Sequence, residues 1–186
     1  MLEQLFNLVK EHAGSAIIDN PAIPNERNDE AVSEASNSIV DGIKNALANG
    51  NVSDVMHMFS GQGDAAASPV AQQIQGGFVQ NLMNKFGVDQ AQAGSIASSL
   101  IPNVLNKFVH QTNDPNNSSF DLQGIMNHLS GGNTSGFDVQ GLMDKFKGGL
   151  DKNGDGKVDM SDITSMFQGG GASGGGIMDT LKGFFK

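Results

Sequence analysis

The sequence predicts an all-α fold, a bundle of short helices, and two observations carry that prediction. Apolar residues recur at every fourth position from Val70 through Ile74, Phe78 and Leu82 to Phe86, the spacing of one helical face. The second observation is a short amphipathic unit that recurs along the chain. Val55-Met-His-Met-Phe, Leu82-Met-Asn-Lys-Phe, Ile125-Met-Asn-His-Leu, Leu142-Met-Asp-Lys-Phe, Ile163-Thr-Ser-Met-Phe and Ile177-Met-Asp-Thr-Leu share one pattern. It reads aliphatic, usually Met, two mostly polar residues, then Phe or Leu, with Gly one or two places later. The first and fifth positions lie on one face, and the Gly ends the helix in a left-handed cap. Each unit is too short to be stable alone in water. The copies are irregularly spaced, which argues against a solenoid of fixed period. Methionine at the second position is expected in the core, as an adaptable gap-filler.

Taken in order, Leu2, Leu5, Phe6 and Val9 form a first amphipathic helix. Residues 19–28, with Pro21 and Pro24, read as an extended connector. Residues 29–48 read as a helix with Val32, Ala35, Ile39, Ile43 and Leu47 on one face. Gly61 to Ser68 reads as a flexible link. Pro69 then stands at a helix start, where its missing N–H costs nothing. Gly87-Val88-Asp89 breaks that helix and caps the next, 90–109, whose internal Pro102 predicts a kink or a split. This pair is the expected core.

Helix starts repeat as well. Phe120-Asp-Leu-Gln-Gly-Ile and Phe137-Asp-Val-Gln-Gly-Leu are near copies, echoed by Val158-Asp-Met-Ser-Asp-Ile. Asp121, Asp138 and Asp159 read as N-caps, with Phe120, Phe137 and Val158 stapling against Ile125, Leu142 and Ile163. A glycine run over 169–176 tethers a last helix, Ile177 to Lys186.

One stretch states a chemistry. Residues 151–162 read Asp-Lys-Asn-Gly-Asp-Gly-Lys-Val-Asp-Met-Ser-Asp. Asp151, Asn153 and Asp155 alternate side-chain oxygens, and Gly156 stands where a sharp turn is required. Lys157 offers its carbonyl, Val158 is apolar, and Asp159 and Asp162 complete the oxygen set. Met143, Phe146 and Leu150 upstream and Ile163, Met166 and Phe167 downstream fall at helical spacing. A hard cation takes many oxygens in a flexible cage, so calcium is the expected ligand, with magnesium as the alternative.

The segment resembles an EF-hand, and its Asp at position 12 is also similar to dockerin repeats. Dockerins pair two such loops, whereas this chain has one, so calcium binding carries over and cohesin recognition does not. Glu at position 12 reaches the ion with both oxygens, while the shorter Asp162 points to weaker calcium binding or a partly hydrated, magnesium-like geometry. Dockerins show that Asp serves when the loop closes tighter, so the affinity class stays open.

Composition excludes several classes. The net charge is -9, with no run of Lys or Arg, which argues against nucleic acid or an anionic membrane as partner. There is no cysteine, so disulfides, zinc thiolates and thiol catalysis drop out. No apolar stretch reaches membrane-spanning length, and the start lacks the charge and hydropathy order of a secretory signal, so a cytoplasmic location is expected. His12, His57, His110 and His128 are scattered without metal-ligand spacing, and neither a nucleophile elbow nor a Walker loop occurs. A non-enzymatic protein is expected.

The stretch Asn84-Lys-Phe-Gly-Val-Asp-Gln-Ala-Gln-Ala, followed by Ser98-Ser-Leu-Ile-Pro-Asn-Val-Leu, resembles the YidB-like family of bacterial proteins of unknown function. Met178-Asp-Thr-Leu-Lys-Gly-Phe-Phe is similar to that family's end. Here the junction is Phe86-Gly87, where the family has leucine-glycine. The resemblance covers residues 69–109 and the last ten. It implies an all-helical cytoplasmic bacterial protein and carries no catalytic residue.

The expected organisation is a YidB-like helical core region over 1–115. Residues 116–186 then carry short-helix repeats, one EF-hand-like unit at 151–162 and the tethered helix. The expected function is calcium binding that orders or regulates a helical module. The alternative is a self-associating structural protein, a homo-oligomer in which calcium is a staple.

Overall fold

A computed structural model describes residues 2–61, 64–114, 117, 120–129 and 141. Among these residues the fold is all-α, as the periodicity predicts. Helix α1 spans Leu2–His12, α2 Asn28–Ala48, α3 Val52–Phe59, α4 Pro69–Asn81, α5 Gln90–Thr112 and α6 Leu122–Leu129.

The α4–α5 hairpin follows the sequence closely. The Ser68 hydroxyl accepts the Ala71 N–H at 3.1 Å, and Pro69 opens α4. Val70, Ile74, Phe78 and Leu82 are all buried. A π-type turn, Leu82–Phe86, ends this segment, and Gly87 takes φ 69°, the left-handed cap that glycine reaches without a side-chain clash. Asp89 then caps α5 by accepting the Gln92 N–H at 2.9 Å. Pro102 does not split α5, which runs unbroken from Gln90 to Thr112. Ser98, whose carbonyl Pro102 cannot serve, is exposed to water. On the next turn, the Asn103 side-chain amide donates to the Ser99 carbonyl at 2.7 Å.

Helix α2 is the spine of the core, packing against α1, α3 and α4. Its expected face is buried, but so are Ala31, Glu34, Ser36, Ser38, Val40, Gly42 and Ala46. Contacts with α4 run in antiparallel register. Lys85 bonds to Glu34 at 2.6 Å, Asn81 donates to Ser38 at 3.1 Å, and Ile74 lies over Gly42. A Cβ on Gly42 would collide with Ile74 Cγ1, so this glycine sets the helix separation.

Two expected irregular stretches are more structured than the sequence reading holds. Residues 19–28 are not an extended connector. The Ile23 side chain is buried, and a 3₁₀ turn over Asn25–Arg27 leads straight into α2. Proline at 21 and 24 suits turns as well as extended chain. Within the expected Gly61–Ser68 link, Asp64 accepts the Ala66 N–H at 3.0 Å and starts a 3₁₀ turn, Ala65–Ala67, with Ala65 buried. A further π-type turn, Gly14–Ile18, follows α1 and buries Ala16 and Ile17.

Segment 120–129 shows what one repeat copy does. Asp121 accepts the Gly124 N–H at 2.7 Å, the predicted N-cap. Phe120, Leu122, Ile125, Met126 and Leu129 are all buried in the same core as α1–α5. The rings of Phe59, Phe108 and Phe120 meet edge-to-face, with centroids 5.6 Å and 5.5 Å apart. Each such pair contributes about 0.5–1.5 kcal/mol beyond burial. This ladder links α3, α5 and the start of α6. The repeat methionines Met56 and Met126 are buried and Met83 is partly so, the expected core role.

Candidate functional site

The six residues expected to hold a cation, Asp151, Asn153, Asp155, Lys157, Asp159 and Asp162, lie outside the described residues. So do the flanking Met143, Phe146, Ile163 and Phe167, the caps Asp138 and Asp159, and the helix from Ile177. Among the described residues, no group of three or more His, Asp or Glu side chains is placed to hold a metal.

The densest charged constellation in the described structure joins the start of α2 to the end of the Leu82–Phe86 turn. Arg27 donates from Nε and Nη2 to both Glu30 oxygens at 2.8 Å, and from Nη1 to the Lys85 carbonyl at 3.0 Å. Its guanidinium stands 4.2 Å from the centre of the Phe86 ring, a cation–π contact. The hydrogen bonds from Arg27 hold the Glu30 carboxyl below the usual carboxylate range. One turn on, Glu34 is 10% exposed and receives the Lys85 ammonium, itself 52% exposed. Every charge in this cluster has a partner, so it is a clasp on the hairpin's end. The exposed Arg27–Glu30 pair adds little energy by itself. Sequence reading missed this clasp because Lys85 lies 58 residues from Arg27 and 51 from Glu34 in the chain. The available signal was Glu30 and Glu34 at i, i+4 on a helix whose apolar stripe is adjacent.

The histidines do not converge. His57, His110 and His128 are exposed, and His12 at the end of α1 has a buried Nε2. Among the described residues, shallow clefts border α3. One, of about 380 Å³, is lined by Asp54, His57, Met58, Asp64 and Pro69, among others. Another, of about 330 Å³, is lined by Ser60, Asn106, His110 and Asn113. Asn113 is committed there, donating to the Phe59 and Val109 carbonyls at 2.8 and 2.9 Å.

A family model described as a bacterial protein of unknown function (DUF937) matches residues 68–148. That span contains α4, α5 and α6 and ends before the loop at 151–162. It overlaps the hairpin on which the YidB-like resemblance rests, and the helical architecture there agrees with it. Neither a curated protein nor a solved structure matches the chain. Among the described residues, no helix is long and apolar enough to cross a membrane.

Proposed function

We propose that this chain is a non-enzymatic cation-binding protein whose loop 151–162 takes calcium, or magnesium, to order or regulate a helical module. The ligands are the side chains of Asp151, Asn153, Asp155, Asp159 and Asp162 and the carbonyl of Lys157. One observation carries the reading: twelve consecutive residues match the calcium-loop pattern and stand between two segments of helical apolar spacing. Differential scanning calorimetry tests it, because a ligand that binds the folded state raises the melting temperature with its free concentration. Calcium should raise the transition in the parent chain and leave Asp151→Ala unmoved. An equal rise in both would reject the ligand assignment.

The second reading is a self-associating structural protein in which the cation is a staple. It rests on the repeated helix unit in the sequence, although the copies at 55–59 and 125–129 bury their apolar residues in the chain's own core. A regulatory ion exposes apolar surface when it binds, read as added dye fluorescence. A staple raises stability without that signal.

A further inference from the structure

The outer face of the α4–α5 hairpin differs from residues 1–61 in carrying no charge along most of its length. From Ser68 to Thr112 the only charged side chains are Lys85 and Asp89 at the hairpin's turn end and Lys107 near the far end of α5, which leaves the stretch between them without charge. Residues 1–61 carry nine acidic and three basic side chains. On α4 the exposed positions are Pro69, Gln72, Gln73, Gly76, Gly77 and Gln80, and on neighbouring α5 they include Ser95, Ser98 and Ser99. Exposed helix positions usually carry Lys, Glu or Arg, which favour both helix and solubility.

The glycines sharpen the contrast. Gly42 on α2 has a reason within the chain, because Ile74 occupies the space a side chain would need. Gly76 and Gly77 have none among the described residues, where a Cβ on either would meet no atom within 4 Å. Each still costs about 0.8–1 kcal/mol of helix stability relative to Ala. A backbone approaching from outside the chain would use that space.

We infer that this face is the contact between two copies of the chain. In a two-fold contact each residue meets the same surface of the other copy, so a charged face would oppose its own sign. With a net charge of -9, two copies repel, and the charge-free face is where they approach at least cost. A partner of a different, charged kind would be met by complementary charges, and α4 offers none on this face. The bare glycines let the α4 backbones come close, and the flanking glutamines supply donors and acceptors across the contact.

This inference is independent of the cation loop, and its test is run in chelator. Sedimentation velocity of the full chain in EDTA, at micromolar to tens of micromolar concentration, should show a dimer. Gln73→Glu/Gln80→Glu brings four acidic groups into the contact and should weaken association at least tenfold, with the helical circular dichroism unchanged. Gly76→Ala/Gly77→Ala should also weaken association tenfold or more while leaving the monomer as stable as the parent or more so. Asn45→Asp, an added charge at an exposed position of α2, should leave association within twofold of the parent. A parent that stays monomeric, or dimerises only with calcium, overturns the inference. So does a Gln73→Glu/Gln80→Glu chain that associates like the parent, or an Asn45→Asp chain weakened as much as the hairpin variants.

Discussion

Two segments of this chain share a helix-start pattern in sequence, Phe120-Asp-Leu-Gln-Gly-Ile and Val158-Asp-Met-Ser-Asp-Ile, and one of their differences changes the chemistry. In 120–129, Asp121 caps the Gly124 N–H, Phe120 joins the aromatic ladder, and Leu122, Ile125, Met126 and Leu129 are buried. The parallel residues in 158–167 are Val158, Asp159, Met160, Asp162 and Ile163. Gly124 is thus matched by Asp162. A Cβ on Gly124 would stand 3.0 Å from the Asp121 carboxylate, so this position lies beside the capping acid. An acid there sets two carboxylates side by side, a repulsion that a cation relieves. The difference teaches how a helix start built for packing becomes, on the proposed reading, the closing half of an ion cage. It needs one added acid and the oxygen-rich run from Asp151 to Lys157 ahead of it.

The largest effect that would break this comparison lies in the aromatic ladder. Phe108 is buried between Phe59 and Phe120, so Phe108→Ala should cost about 3–5 kcal/mol in chemical denaturation, equally with calcium and with chelator. A loss under about 1.5 kcal/mol would mean that the ladder does not hold α6 to the core. Next come the two caps. Asp121→Ala should cost about 1 kcal/mol of stability and leave calcium affinity unchanged. Asp159→Ala should instead weaken calcium binding, measured by fluorescent-chelator competition. Equal behaviour of the two variants would erase the distinction drawn between the segments. The smallest effect is at the closing acid. Asp162→Glu should tighten calcium binding several-fold, because the longer side chain brings both oxygens to the ion. Weaker binding would show a loop closed around the shorter residue.

Much of the described fold was legible where local chemistry settles the conformation. Ser68, Pro69, Gly87, Asp89 and Asp121 act at helix ends, and their roles depend on neighbours within a few residues. The four-residue spacing from Val70 to Leu82 likewise reports one face of one helix. The clasp of Arg27, Glu34 and Lys85 was not legible, because it needs the antiparallel register of α2 on α4, which no local pattern encodes. Burial of α2 on two faces was missed for a related reason. Ala, Ser and Gly at positions 31, 36, 38 and 42 read as neutral, yet small side chains are what let neighbouring helices close on a spine. The stretches 19–28 and 61–68 read as open chain because Pro, Gly and Asp serve turns and links alike. The candidate cation loop is legible in sequence alone, since oxygen spacing is its whole signature.

The central claim is that the loop binds one cation through its own acids. Isothermal titration of the full chain with calcium, after removal of bound metal, addresses it directly. The account predicts one site per chain, a heat that Asp151→Ala abolishes, and retained helical structure in that variant. A parent chain that takes up no calcium or magnesium, or an Asp151→Ala chain that binds as tightly as the parent, would contradict it.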